Sequence, residues 1–96
     1  MLFRSEALSV GRLVRLFQLE GGAVGLVEVT LADDAPVANQ AVRDLEIPRD
    51  ATIVAVVRDD HVVMPRGDTV LYAGDEVLAL VTSDAEEQLR QALTGG

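Results

Sequence analysis

Between Leu45 and Leu80 the chain alternates β-type runs with turn chemistry at short, regular intervals. Thr52 to Val57 is a nearly continuous β-branched run, which predicts a central strand covered on both faces. Asp59-Asp60 supplies a hairpin turn, and His61 to Met64 reads as the return strand. Pro65-Arg66-Gly67-Asp68 makes a second turn before the short extended piece Thr69–Tyr72. Ala73-Gly74-Asp75 turns once more, and Glu76 to Val81 is the last strand. Closely spaced strands and polar turns of this kind suit a place that holds something small.

The flanks add helices to this β-rich centre. Ser5 to Leu19 places Val10, Leu13, Val14 and Phe17 at i, i+3, i+4 and i+7, the spacing of a helical stripe. The three-residue spacing of Arg12, Arg15 and Gln18 favours that helix over a strand beginning at Leu13, and Gly21-Gly22 would stop it. Ala23 to Leu31 alternates Val27, Val29 and Leu31 with Glu28 and Thr30, a half-buried strand. Asp33-Asp34-Ala35-Pro36 breaks it. Ala38, Ala41, Val42 and Leu45 share a face of a predicted short helix from Val37 to Leu45, which Pro48 prevents from continuing. Ser83 or Asp84 is placed to cap a last helix, Ala85 to Leu93. The expected order is α-β-α-β-β-β-α.

At 96 residues this is one small domain. Its hydrophobic content is 49% with only Phe3, Phe17 and Tyr72 as aromatics, so the core consists of thin Val, Leu, Ile and Ala layers. A thin core favours added burial in a second subunit, and a homodimer is expected. The net charge of −8, with eight arginines and no lysine, argues against nucleic acid and against an anionic membrane surface. The absence of cysteine removes disulfides, thiol chemistry and thiolate metal sites. No uncharged run approaches the roughly 20 residues that span a bilayer, so direct membrane insertion is not expected. The amino terminus lacks the pattern of a secretory signal, which points to the cytoplasm.

No constellation reads as catalytic. His61, the one histidine, has no positioned partner, and Ser5, Ser9 and Ser83 lie in no nucleophile elbow. The acidic pairs Asp33-Asp34, Asp59-Asp60 and Asp75-Glu76 do not follow the spacing of a calcium loop and read as solvated turns. The glycines form neither a dinucleotide fingerprint nor a Walker loop. Arg49, Arg58 and Arg66 flank the Ile47–Met64 region. They would grip a phosphate or carboxylate if they converged, or else pair with Glu46, Asp50, Asp59 and Asp68 at the surface.

Glu28-Val29, Asp44-Leu45, Ile47-Pro48, Ile53 to Asp59, Val62 to Pro65, Gly67 to Leu71 and Gly74 to Leu78 form an ordered set of motifs. With its spacing, the set resembles the C-terminal domain of TrkA-type regulators, the TrkA-C or RCK_C domain. The resemblance implies residues 1–22 as an N-terminal helix or connector and residues 23–94 as the domain itself. It implies a small α/β (α+β) domain with a mixed sheet of about four to five short strands and two to three helices, working as a dimer. In that family the domain usually follows an NAD- or ATP-binding RCK domain and regulates a potassium channel or transporter, so association with a membrane would run through such a partner.

Some members bind cyclic di-AMP between two such domains. Of that pattern Val42, Ile47, Ile53, Val54 and Pro65 carry over. Arg43 replaces the second aliphatic, Glu46-Ile47-Pro48 stands for Asp-Ile-Arg, and Thr52 stands for Asn. Arg49 would have to act one position away from the lost arginine. The expected ligand-binding set is therefore Val42, Ile47, Arg49, Ile53, Val54, Arg58 and Pro65. No resident cofactor or metal is expected, and an anionic nucleotide such as cyclic di-AMP is the ligand the resemblance suggests.

Overall fold

The computed structural model describes residues 10–95. Five strands form one sheet: β1 (Leu13–Leu19), β2 (Val24–Thr30), β3 (Ala51–Arg58), β4 (His61–Val63) and β5 (Glu76–Thr82). A single α-helix, α1 (Glu86–Thr94), follows them. The spatial order is β1-β2-β5-β3-β4, so the last strand made is the middle of the sheet. All four strand pairings are antiparallel, where a mixed sheet is expected from sequence; the parallel contact among the described residues is an isolated bridge between Val10 and Thr30.

The predicted N-terminal helix is a strand over Leu13–Leu19, and its Ser5–Ser9 portion lies outside the described residues. A bulge between Arg15 and Phe17 explains the misleading spacing. It adds one residue to β1, so the strict two-residue alternation resets midway and imitates a helical stripe. Leu13 thereby packs against the core while Phe17 sits opposite Leu26 on the other face. Gly21 and Gly22, at φ 65° and 98°, close the β1–β2 hairpin instead of ending a helix.

The predicted helix from Val37 to Leu45 is absent as well. One 3₁₀ turn, Val42–Asp44, remains. The backbone groups of this strap bond to a distant segment: Asn39 N–H to Leu71 O at 2.6 Å, Val42 N–H to Thr69 O at 2.8 Å and Arg43 N–H to Gly67 O at 2.9 Å. Leu71 N–H returns a bond to Gln40 O at 3.0 Å. Asn39 stands at φ 70°, which a helix interior does not accept. Non-local pairing has replaced the i to i−4 bonds that the apolar spacing alone would allow.

The β3–β4 hairpin turns on Asp59 and Asp60, both left-handed at φ 53° and 66°, the two-residue geometry that matches strand twist. β3 is not the middle strand, and β5 holds that place. A bulge between Ile53 and Ala55 leaves Val54 outside the register, so Ile53 and Val56 face the core while Ala55 lies opposite Leu78 on the other side. The core lies between one face of the sheet and α1 with the strap. Val27, Val29, Val56, Val77, Ala79 and Val81 meet Leu89 and Leu93 from α1 and Val37 and Leu71 from the strap region, all buried. Leu89 and Leu93 are four apart, hence on one helix face, and burying each contributes about 1.5–3 kcal/mol. Neither Ser83 nor Asp84 caps the helix through its side chain; a 3₁₀ turn, Ser83–Ala85, leads into it.

Candidate functional site

Two arginines of the expected ligand set lie at opposite ends of β3. Arg49 precedes its first residue and Arg58 is its last. Extended chain of that length separates them by roughly 25–30 Å, so within one subunit they do not converge.

Arg58 is held in place by Asp75. Its Nε donates to Asp75 Oδ1 at 2.9 Å and its Nη2 to Asp75 Oδ2 at 2.7 Å. Nη2 also donates to Val70 O at 2.9 Å, and the guanidinium lies 5.0 Å from the centroid of the Tyr72 ring. Asp75 Oδ2 accepts the Tyr72 N–H at 2.9 Å, and the backbone of Asp75 bonds to Leu31 and Tyr72. The bond to Asp75 raises the Arg58 guanidinium above its ordinary range, and burial opposes the shift. The Asp75 side chain is only 3% exposed; its carboxylate holds Arg58 at the end of β3 and the Tyr72 N–H, while its backbone carbonyl accepts the Leu31 N–H just after β2. The arginine edge that would grip a phosphate already grips Asp75.

Asp75 is the residue that sequence reasoning missed. It reads there as half of a solvated acidic pair, and the surface partners offered to Arg49, Arg58 and Arg66 (Glu46, Asp50, Asp59 and Asp68) do not include it. The available signal was its place directly after Gly74, at φ 90°, where a tight turn carries the carboxylate inward.

The apolar members of the expected set divide between packing roles. Ile53 is core, and Val42 and Ile47 are half-buried against it. Val54 is the extra residue of the β3 bulge, and Pro65 is half-buried just after β4. His61 is exposed on β4. Among the described residues no group of three or more His, Cys, Asp and Glu side chains is placed to hold a metal ion, and no helix is long and apolar enough to cross a membrane.

Arg49 has a different setting. It is exposed, and no ion pair of its side chain is seen among the described residues. It borders a cavity of about 190 Å³ with Val24, Ala51, Thr52, Leu80 and Thr82. That cavity opens on the sheet face opposite α1. Phe17, Leu26, Leu80 and Thr52 form one row across four strands, and Leu78 and Ala55 sit beside it. Val14, Leu16, Phe17, Leu19 and Val62 are large apolar side chains left exposed, with Phe17 at 59%. The outer face of β2 and β5 thus carries Val24, Leu26, Leu78 and Leu80 among Glu28, Thr30, Glu76 and Thr82, and among the described residues α1 covers only the opposite face.

The model of the TrkA-C domain matches residues 26–94. The Trk system potassium uptake protein TrkA of Mycobacterium tuberculosis (strain ATCC 25618 / H37Rv) is 42% identical over 88 residues, 92% of this chain and 40% of that protein. The TrkA homolog of Archaeoglobus fulgidus is 31% identical over 77 residues, 80% of this chain and 18% of that protein. The chain thus spans two fifths or less of these relatives. Among solved structures, the GsuK RCK domain superposes with a TM-score of 0.76 at 19% identity, over 92% of this chain and 19% of that one, which shows the fold. An RCK domain solved with "cda" superposes with a TM-score of 0.63 at 25% identity, over 71% of this chain and 96% of that one. By motif order, by sheet architecture and by this match, the chain belongs to the TrkA-C domain family.

Proposed function

We propose that this chain is a dimeric regulatory domain of a potassium-uptake system, in which a change of dimer geometry is passed to an RCK-type nucleotide-binding domain and a transporter or channel subunit. The observation that carries the reading is the cluster of Val14, Phe17, Leu19, Leu26, Leu78 and Leu80 on the sheet face that no described element covers. Isolated surface apolar residues are ordinary, but a contiguous apolar face marks an interaction surface. A second copy would cover it with the same residues, as two-fold symmetry requires. The names of the relatives, potassium uptake proteins, support the transport context. The domain acts in the cytoplasm, reaches the membrane only through its partner and catalyses no reaction.

Regulation needs a ligand that prefers one of two dimer arrangements, because a ligand with equal affinity for both shifts nothing. An anionic nucleotide of the cyclic di-AMP kind, held near Val42, Ile47, Arg49, Val54 and Pro65, is the ligand this reading favours. The RCK domain solved with "cda" supports it. The occupied fork of Arg58 supports the competing reading, a dimerisation module without a small ligand.

Sedimentation of the wild-type chain and of Phe17→Glu tests the carrying observation. A wild-type dimer that Phe17→Glu converts to monomer is expected, whereas a wild-type monomer at high concentration would defeat the reading. A thermal-shift series with nucleotides, cyclic dinucleotides and monovalent cations then separates the two readings. Concentration-dependent stabilisation favours the sensor, and a stable dimer with no response to any of them favours the bare module.

A further inference from the structure

The two edges of the sheet are guarded unequally. β4 is three residues long, and Pro65 follows close behind it. A short edge and a proline are ordinary defences against pairing with another chain. β1 is seven residues long, Leu-Val-Arg-Leu-Phe-Gln-Leu, and among the described residues it has β2 on one side and no strand on the other. The one charge on it is engaged by α1: the Arg15 Nε and Nη2 donate to the Glu86 carboxylate at 3.1 and 2.8 Å. Val14, Leu16, Phe17 and Leu19 stand exposed along this edge.

The β1 bulge gives the free edge a pattern that selects its partner. Leu13, Arg15 and Gln18 pair with Val29, Val27 and Gly25 and so lie on the α1 side. Val14, Phe17 and Leu19 pair with Glu28, Leu26 and Val24 and so lie on the outer face. Leu16 is the residue that β2 skips. A regularly alternating strand laid along the free edge would also have to skip a residue, or turn half its side chains to the wrong face. A second β1, run antiparallel about an axis between Arg15 and Leu16, needs no skip. From Leu13 to Gln18 the sequence of faces is the same read in either direction.

We infer that β1 pairs in this register with β1 of a second copy, joining two five-stranded sheets edge to edge. Val14 meets the second copy's Phe17 on the outer face, and Leu13 meets its Gln18 on the α1 side. Arg12 falls opposite Leu19 of the second copy, one residue from its Glu20, and both charged residues are exposed. Opposite charges therefore meet at both ends of the ladder, which favours this register over its neighbours. The two-fold axis stands perpendicular to the sheet, so both outer faces lie on one side and both copies of α1 on the other. The face contact proposed above uses an axis parallel to the sheet. One chain can make both contacts, and four chains then close. The edge contact goes beyond the face reading and stands or falls apart from it.

The test mixes isotope-labelled and unlabelled full chain and records NOEs between copies by NMR. Backbone contacts of residue 14 with residue 17 and of residue 13 with residue 18 are expected; the second pair lies on the α1 side, where packing of outer faces cannot produce it. Sedimentation then separates the two contacts. Wild type should rise from dimer to tetramer with concentration. Leu80→Glu, in the middle of the outer face, should remove the face contact and leave a dimer that keeps the 13–18 and 14–17 contacts. Leu16→Pro deletes an amide at the residue that β2 skips, a place where a strand tolerates proline. It should stop at the face dimer and lose both backbone contacts, and the two substitutions together should give a monomer. The wild-type contacts are read without any substitution, so a variant that fails to fold leaves the test intact. The inference is overturned if no backbone contact between copies joins residues 13–14 to 17–18, or if folded Leu16→Pro assembles as wild type does. If Leu80→Glu assembles as wild type does with the backbone contacts in place, the face reading fails and the edge contact holds.

Discussion

Both faces of the sheet carry branched apolar side chains, but one is apolar throughout β2 and β5 and covered, while the other interleaves them with Glu28, Thr52, Glu76 and Thr82 and is bare among the described residues. On the covered face Val27, Val29, Val77, Ala79 and Val81 are sealed under Leu89 and Leu93. On the bare face Leu26, Leu78 and Leu80 are half-buried and Phe17 stands mostly in solvent. The strand composition already marks the difference, since β5 sends Val77, Ala79 and Val81 to the covered face and Glu76, Leu78, Leu80 and Thr82 to the other. The difference teaches that one side of this sheet stabilises the fold and the other is left for association.

Truncation should expose that contrast most sharply on the covered side. Leu89→Ala removes a fully buried side chain, and urea denaturation is expected to show a loss of about 3 kcal/mol. Equal losses from Leu89→Ala and Phe17→Ala in a monomeric sample would erase the distinction between faces. Next in size is the clamp at the sheet's end. Asp75→Ala leaves Arg58 without its buried partner, and because Arg58 keeps some solvent the expected cost is about 2 kcal/mol. A double-mutant cycle with Arg58→Ala should return a coupling above about 1 kcal/mol; additive losses would show that the clamp links nothing.

Phe17→Glu should lower monomer stability by less than about 0.5 kcal/mol and raise the dimer dissociation constant at least about tenfold. A large stability loss with unchanged association would invert the proposed roles of the faces. The smallest effect is expected on the outer surface of α1, where Arg90 bonds Glu87 and holds its carboxyl below the ordinary range. A depressed carboxylate contributes stability above its unfolded pKa and loses that contribution as pH falls through the folded value. Glu87→Gln should therefore differ from wild type only slightly near neutral pH, and the difference should vanish in acid. A difference that grows on acidification would contradict the pairing.

Much of this was legible in the sequence, for identifiable reasons. The β2 alternation, the Asp59-Asp60 hairpin, β5 and the last helix follow from local rules that the structure obeys. The failures share a cause. The β1 bulge, the strap bonds from Asn39, Val42 and Arg43 to residues 67–71, and the reach of Arg58 to Asp75 are all settled by partners far along the chain. A local window sees the apolar spacing and not the competitor for the backbone bonds. The candidate site divides in the same way: Arg49 could be singled out from its neighbours, but Thr82 comes beside it only through the β3–β5 pairing.

The position of β5 also has a consequence for the order of events during synthesis. β2 and β3 do not pair with each other, and each waits for the strand that lies between them. Until residue 82 has left the ribosome, the chain holds two separate hairpins with apolar edges and no shared sheet. Assembly is then one late insertion that closes both ladders at once, a non-local step of the kind that slows folding. A chain stopped short of β5 would leave a sticky pair of hairpins for the quality-control machinery, and no smaller domain.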